Sequence, residues 1–582
     1  MNHWIILPVV LPAFLAPLIV LWARFDLTAQ RVFSIFGMLV HLGLAVSLAV
    51  YATTHAPEVY RLGNWEAPFG ISLVLDRLAA LMLVLTSLLG LIVALYATGA
   101  GWDRRGWHFH SLLQFQMMGL NGAFLTGDAF NLFVFFEVLL IASYGLMIHS
   151  GGKDRLKAGV QYVVYNLAGS ALFLIALGTI YSVTGTLSMA DLAQKVAVLP
   201  PESTALVRVG AILLMLVFAV KAALVPFQFW LPGTYANAPG PVAALFAIMT
   251  KVGVYAIVRI YTLVFPRDGT IGDMAYDVLV PAAVVSMVIG MVGVLGARDL
   301  GRTVAYAVIG SVGTMMLAFA QFDTASTAAG LYYMAHSTFA AAALFLIVDI
   351  VRMRRGVRGL TIRAVEPMAG HGLIAAGFFA AAIAMAGMPP LSGFLGKLMI
   401  MDALRDLPGG YAIWAAILIT SLIAIYGFSR AGSTVFWKAY SEDALSLGEV
   451  TERKETPFLA VTSAFLPLAV LVGLVIFAGP AATWMRGTAE QLFTPQAYIS
   501  AVMEGAYERA MAAQEAASGH EADSDLHAPT LVTPEENAAD HGSEAPAAPA
   551  QATPEQEAQP PMTEPVAEPS ADPAPSAPET GN

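Results

Sequence analysis

Five ionisable residues stand alone within long apolar stretches of the sequence: Glu137, Lys221, Lys251, His336 and Lys397. A charged side chain at the centre of a membrane-spanning helix costs at least ~2.5–3.5 kcal/mol to insert, so a position without a role tends to be apolar. A carboxylate and several amines at mid-membrane depth are the groups that a proton path needs. We therefore interpret these five residues as candidate sites of proton transfer.

Lysine suits this chemistry because burial favours the neutral amine over the ammonium, so that the proton can come and go. A carboxylate beside the amine opposes that effect for as long as it stays there. The sequence therefore predicts that Glu137 and Lys221 form a modulating pair. Lys251, His336 and Lys397 would continue the path across the protein.

Structural interpretations of the same residues remain open at this point. Glu137 and a lysine could form an ion pair that only stabilises the fold. Lys251 could lie near a helix end and extend its amine to the interface, and His336 could be a helix-packing residue. No second His or carboxylate stands at metal-ligand spacing beside His336, and the chain has no cysteine, so we predict neither a metal site nor a cofactor.

Other ionisable residues fall near the ends of the predicted spans. We interpret them as interfacial or anchoring groups: Asp76, Arg77, Arg259, Asp349 and Asp402.

The elements that must position these residues are membrane-spanning helices. The 582-residue chain is 57% hydrophobic and 12% charged, and its apolar runs are long enough to cross a hydrocarbon core of ~30 Å. The runs are continuous rather than alternating, which excludes a β-barrel. We predict an all-α polytopic membrane protein, in which the first run, from Trp4 to Trp22, is a retained helix.

Fourteen spans are predicted, starting near residues 4, 31, 72, 109, 128, 157, 207, 240, 276, 302, 327, 371, 411 and 457. The odd-numbered loops between them hold 18 Lys and Arg and the even-numbered loops hold 4. Because basic residues collect on the cytoplasmic side, the odd loops should be cytoplasmic. Both termini should then face the periplasm.

A weak internal repeat accompanies two proline breaks. "SALFLI" at 170–175 returns as "AALFLI" at 342–347, and "KAALVPFQFWLP" at 221–232 is echoed by "MPPLSGFLGKL" at 388–398. Five spans separate the copies, so the second should be inverted, and proline at mid-membrane depth should interrupt each helix. We expect two inverted five-helix repeats with discontinuous helices, in which the breaks hydrate Lys221 and Lys397.

These patterns divide the chain into five predicted segments. They are three N-terminal helices (1–108), a first repeat (109–266), a second repeat (267–440), a last span with its flanks (441–514) and a tail (515–582). The tail carries 14 acidic residues and no Lys or Arg. Its Pro, Ala and Glu content predicts a disordered, solvated segment.

Four of these motifs carry a family resemblance. "NLFVFFEVLLIASYGL", "VKAALVPFQFWLP", "TKVGVYAIVRIYTLVF" and "PPLSGFLGK" resemble the antiporter-like membrane subunits shared by respiratory complex I and the Mrp cation/proton antiporters. Within that group, "MMGLNGAFLTGDAFNLFVFFE" and "GSALFLIALGTIYSVTGTLSMADLA" are similar to the D subunits of Mrp complexes.

The resemblance implies fourteen helices with two inverted repeats, Glu137 and Lys221 as the essential pair, and Lys251 and Lys397 on a central hydrophilic axis. The chain departs from many relatives at Ala340, where they have a lysine, and this weakens the expectation for His336. The lysine at 397 differs from the glutamate of one complex I paralogue.

From these observations we expect a proton-translocating subunit of a multi-subunit Na⁺(K⁺)/H⁺ antiporter that serves pH homeostasis in the bacterial inner membrane. Its partners would be other membrane subunits, protons, Na⁺ or K⁺, and the lipid bilayer. It would be a secondary transporter subunit and not an enzyme, without nucleic-acid partners. The alternative is a proton-pumping subunit of an NADH–quinone oxidoreductase or membrane-bound hydrogenase, whose redox centres would lie in other subunits.

Overall fold

The protein is almost entirely helical in the computed structural model, which describes residues 3–269, 272–356, 359–365, 367–368, 370–440 and 456–504. The predicted tail at 515–582 and parts of the preceding segment lie outside the described residues.

The described residues form eighteen α-helices and one two-stranded sheet. In chain order the helices are α1 (Leu7–Leu21), α2 (Leu27–Thr54), α3 (Arg77–Ala100), α4 (Phe109–Leu125), α5 (Ala129–Met147), α6 (Lys153–Thr184), α7 (Met189–Ala197), α8 (Pro201–Ala222), α9 (Trp230–Asn237), α10 (Gly240–Leu263), α11 (Met274–Gly296), α12 (Leu300–Phe319), α13 (Thr324–Arg355), α14 (His371–Ala386), α15 (Ser392–Ala403), α16 (Gly410–Gly432), α17 (Phe458–Ile476) and α18 (Ala478–Phe493). The strands β1 (Glu58–Arg61) and β2 (Ser72–Leu75) pair antiparallel between α2 and α3.

Eleven of the described helices are long and apolar enough to span a membrane, which confirms the all-α polytopic class. Two shorter apolar helices, α1 and α14, accompany them. The exact count of fourteen and the inverted relation of the repeats remain predictions. The sequence did not predict four of the helices as separate elements, namely α7, α9, α15 and α18.

Two helices form the centre of the protein. The apolar windows of α10 and α13 are buried throughout, whereas only about a third of the corresponding window of α2 is buried. α10 and α13 pack directly on each other, and α13 also contacts α12, α14, α15 and α17. The candidate residues Lys251 and His336 lie on these central helices and are therefore isolated from lipid.

Contacts between loops agree with the predicted alternation of the spans. Isolated backbone bridges join residue 73 to 126 and residue 128 to 188, all in even-numbered loops. Another bridge joins residues 299 and 361 in odd-numbered loops. The two sets of loops therefore meet at opposite ends of the helices, while the assignment of one end to the cytoplasm remains a prediction.

A buried ion pair locks the start of α3 to α10. Arg259 donates through both terminal nitrogens to the carboxylate of Asp76, at 2.6 and 2.8 Å, and both side chains are almost fully buried. Asp76 also caps α3 by accepting from the backbone N–H of Ala79 at 2.8 Å. The ring of Tyr498 lies 5.2 Å from the guanidinium carbon. Asp76 anchors the start of α3 and Arg259 lies near the end of α10, as the sequence predicted, but protein surrounds both side chains.

Replacing Arg259 tests this pair. We expect Arg259→Met to lower stability by about 3 kcal/mol or more, because Asp76 keeps its charge in a buried place without a counterion. The measurement is the unfolding midpoint of the detergent-purified protein. The matched control is Arg267→Met, whose partner Asp273 is exposed, so its midpoint should change little. Equal midpoints for the two variants would contradict the importance of the buried pair.

Candidate functional site

Glu137 lies near the middle of α5. This helix begins after Asp128, whose side chain accepts from the backbone N–H of Asn131 at 2.6 Å and so caps the helix. The Glu137 side chain is half-buried and accepts a short hydrogen bond from the hydroxyl of Ser170 on α6. The carboxylate is thus held by a neighbouring helix at a depth where water is scarce.

Lys221 lies in the last turn of α8 and is 5% exposed. Its Nζ donates to the side-chain oxygen of Asn166 at 3.2 Å, with the backbone carbonyl of the same residue at 3.4 Å. Gly169 also faces the amine, since a Cβ there would come within 3.7 Å of Nζ. The lysine is therefore accommodated by α6 rather than by α5.

α6 bridges the two predicted partners. Asn166 and Ser170 are four residues apart, so they lie on the same face of the helix, where one contacts Lys221 and the other contacts Glu137. Within the described residues, Glu137 and Lys221 do not approach to ion-pair distance. Neither bridging residue is among the predicted site residues, although both are polar side chains at helical spacing in an apolar run.

Lys251 is at the centre of α10 and is fully buried. Its Nζ has no hydrogen-bond partner among the described residues. It is the twelfth of 24 residues in the helix, so its amine cannot reach an interface by extension along the helix. The interfacial alternative for this lysine is therefore wrong in this structure.

His336 joins the central helix α13 to the second broken helix. Its Nδ1 lies 2.9 Å from the hydroxyl of Ser392 on α15, and the backbone of Ala384 on α14 also lies beside the ring. The ring is close enough to both Lys251 and Lys397 for their charges to act on it. His336 is therefore close to both lysines.

Lys397 on α15 reaches back to the end of α14. Its Nζ donates to the carbonyl of Ala386 at 3.0 Å and to the hydroxyl of Ser421 on α16 at 2.7 Å. Ala386 is the last residue of α14, and Gly387 follows with a positive φ of 80°. The lysine therefore satisfies a carbonyl that the helix break leaves free.

The two predicted helix breaks are present. α8 ends at Ala222, four residues before Pro226, and α14 ends just before the segment that contains Pro389 and Pro390. At the first break the backbone N–H of Val225 donates to Ser286 on α11 at 2.8 Å. Neighbouring helices thus supply partners for backbone groups that a broken helix would otherwise leave unpaired in the membrane.

The described residues contain no group of three or more His, Cys, Asp or Glu side chains that could hold a metal ion. The five candidate residues themselves supply a carboxylate, three amines and an imidazole.

Comparisons with known proteins find relatives of this chain. Residues 126–424 match the family described as NADH:quinone oxidoreductase/Mrp antiporter, TM. The chain is 39% identical to the D subunit of a probable K⁺/H⁺ antiporter of Rhizobium meliloti, with 86% of this chain and 98% of the relative covered. It is 37% identical to the D subunit of a Na⁺/H⁺ antiporter of Alkalihalophilus pseudofirmus, with 87% and 100% covered.

A solved structure has a similar fold. A chain of the Mrp complex from a Dietzia species superposes with a TM-score of 0.76 at 28% identity, with 86% of this chain and 100% of that chain covered. The similarity thus extends along the helices that carry all five candidate residues.

The close approach of α15 to His336 can be tested with a single methyl group. A Cβ at Gly393 would overlap the carbonyl of Ala384 and come within 2.8 Å of His336 Nε2. We expect Gly393→Ala to lower the unfolding midpoint of the purified protein, because overpacking costs about 1–3 kcal/mol. Gly372→Ala on α14 is the control, because no atom lies within 4 Å of its Cβ position. If Gly393→Ala were as stable as the control, α15 would not pack this closely.

Proposed function

This chain belongs to the NADH:quinone oxidoreductase/Mrp antiporter transmembrane family, and on that premise we propose that it is the proton-translocating membrane subunit of a multi-subunit cation/proton antiporter. The cation would be Na⁺ or K⁺, because one relative is named as a K⁺/H⁺ antiporter subunit and the other as a Na⁺/H⁺ antiporter subunit. The subunit would lie in the bacterial cytoplasmic membrane among other membrane subunits. Both termini would face the periplasm, as the distribution of basic residues suggests.

The observation that carries the proposal is that one face of α6 holds both Glu137 and Lys221. Ser170 holds the carboxylate and Asn166 holds the amine. A carboxylate near the amine favours the ammonium, and its withdrawal favours the neutral amine. Glu137 and Lys221 do not form an ion pair that would fix the distance between them. A small movement of α6 would therefore change this distance. Lys221 would then bind a proton while Glu137 is near and release it when the distance grows.

The released proton would continue along a central path, which we define as Lys251, His336 and Lys397. Lys251 has no protein partner for Nζ among the described residues, so it accepts a proton without first breaking a hydrogen bond. His336, whose ring is close to both Lys251 and Lys397, would pass the proton on to Lys397. Lys397 is held by a carbonyl and a hydroxyl, both of which stabilise the ammonium as acceptors. The path would thus lead from a lysine without a partner to a lysine whose charged form is stabilised.

Proton entry supplies the energy for cation exit. Each net charge that crosses with the membrane potential contributes ~2.3 kcal/mol per 100 mV. More than one proton per cation would therefore let the potential drive the exchange. The cation route is outside this proposal, which concerns protons alone.

The redox-complex alternative shares the family and the fold. It is supported less, because the relatives that cover nearly all of this chain at 37–39% identity are named as antiporter subunits. We therefore retain the antiporter as the proposed function.

Glu137→Gln tests the proposal most directly. We expect loss of Na⁺- or K⁺-dependent proton movement in inverted vesicles of an antiporter-deficient bacterium that expresses the whole complex, because the neutral amide cannot modulate Lys221. Glu202→Gln is the matched control, since Glu202 is an exposed carboxylate in the first turn of α8. Normal exchange by an equally abundant Glu137→Gln complex would overturn the mechanism. If wild type exchanged neither cation, the redox-complex alternative would take its place.

Ser170→Ala tests the bridge through α6. A hydrogen bond to a charged group contributes about 1.5–3 kcal/mol, so we expect exchange to slow roughly tenfold or more, and Ser170→Thr to restore it by returning the hydroxyl. Ser182→Ala is the control on the same helix, because Ser182 is exposed and contacts only the carbonyl of Thr179. Equal exchange rates for Ser170→Ala and Ser182→Ala would show that the hydroxyl does not position Glu137.

A further inference from the structure

A buried carboxylate near the end of α13 has no part in the proposed path. Asp349 is 2% exposed, and its Oδ2 accepts from the indole N–H of Trp102 at 2.7 Å and from the hydroxyl of Tyr96 at 2.9 Å. Its Oδ1 has no partner within the part of the chain that the structure describes. The residue lies near the end of α13, as the sequence predicted, but it is enclosed by protein. Because a buried carboxylate is costly unless all its acceptor sites are paired, the free oxygen indicates a further use.

Asp349 lies where the two central helices meet. A Cβ at Gly240, the first residue of α10, would come within 2.6 Å of Asp349 Oδ2. Lys251 follows eleven residues later on α10, and His336 precedes Asp349 by thirteen residues on α13. At a rise of ~1.5 Å per residue these groups are roughly 16 and 20 Å away along the helices. Asp349 thus stands at one end of both helices, on the side of the odd-numbered loops that are predicted to be cytoplasmic.

The charges that surround Asp349 do not bind it directly. Arg105, Arg155 and Arg352 act on the carboxylate from a distance, and within the described residues none forms an ion pair with it. Burial favours the neutral acid and the arginines favour the carboxylate, which brings the two protonation states closer in free energy. The same arginines repel a metal cation that approaches from the water, so this position favours protons over Na⁺ or K⁺.

Asp103, the carboxylate next to Trp102 in sequence, differs from Asp349 in its hydrogen bonds. Asp103 uses both oxygens, accepting from Arg31 at 2.6 and 3.0 Å, with His110 Nε2 at 3.3 Å. Burial alone would raise the pKa of Asp103, but the hydrogen bonds with His110 and Arg31 outweigh it, and the pKa is lowered. Asp103 therefore stays ionised and serves the structure.

The imidazole of His149, which also lies beside Trp102, is held by a hydrogen bond. His149 Nε2 lies 2.9 Å from the carbonyl of Trp102, and burial lowers the pKa of His149 below its ordinary value of 6.5. His149 is therefore neutral near pH 7. Of the two carboxylates described beside Trp102, Asp349 is the one with an unpartnered oxygen.

We propose that Asp349 passes protons between the central path and the water at the cytoplasmic end of the protein. Oδ1 binds one proton that arrives through intervening water and then releases it to the cytoplasm, which restores the carboxylate without any other change in bonding. Trp102 and Tyr96 hold Oδ2 and so keep Oδ1 free for this exchange. The inference rests on the proposed function, to which it adds an exit group and the residues that position it.

The test uses the whole complex in inverted vesicles, where the predicted cytoplasmic face is in contact with the bath. We expect Asp349→Asn to slow cation-dependent proton movement about tenfold or more and to abolish the dependence of the remaining rate on bath pH. Tyr96→Phe keeps the carboxyl group but removes one donor to it, so exchange should continue with its pH midpoint raised by about one unit. Asp299→Asn, a half-buried helix cap on the same side, is the control and should keep the wild-type profile.

The outcomes separate this inference from the proposed function. If an assembled Asp349→Asn complex exchanged with the wild-type rate and pH profile while Glu137→Gln did not exchange, Asp349 would be structural and the proposed function would stand. If Asp349→Asn failed to assemble, Tyr96→Phe would decide, and an unchanged pH midpoint would overturn the inference. Normal exchange by Glu137→Gln would instead remove the proposed function and the exit group together.

Discussion

A polar or charged group in the hydrocarbon interior must find its partners within the protein, because the lipid supplies none. This requirement explains how two of the three lysines are held. Lys397 donates to the free carbonyl of Ala386 and to Ser421, and Lys221 donates to Asn166. Lys251 has no such partner among the described residues. The three amines therefore differ in how strongly their surroundings stabilise the charged form, and a difference of this kind gives a proton path its steps.

The same requirement governs the backbone at the helix breaks. A proline removes a donor and crowds the preceding turn, so the residues around Pro226 and the Pro389–Pro390 pair lose helical hydrogen bonds. Side chains from other helices replace them, as Ser286 does for the N–H of Val225 and Trp230 does for the carbonyl of Val220. The breaks thus create polar groups beside Lys221 and Lys397, and the surrounding helices keep those groups satisfied.

Asp76 and Asp349 show that the role of a buried carboxylate depends on its hydrogen-bond and ion-pair partners. Asp76 is matched by both terminal nitrogens of Arg259, and such a bidentate pair recovers much of its desolvation cost. Asp349 has donors on one oxygen only, among the residues that the structure describes. The two residues look alike in sequence, since each lies at the end of an apolar run. Their chemistry differs because the residues that donate hydrogen bonds to each carboxylate come from distant parts of the chain.

The sequence by itself determined the helical membrane class, the positions of the two proline breaks and the isolation of the five candidate residues, because these follow from hydrophobicity and backbone chemistry that act locally. It did not determine that one face of α6 would contact both Glu137 and Lys221, that Lys251 would be buried without a partner among the described residues, or that Asp349 would be enclosed by Trp102 and Tyr96. Only the tertiary structure decided these points, since they depend on which helices pack together. Packing brings residues far apart in sequence to within hydrogen-bond distance, and no local pattern records which of them will meet.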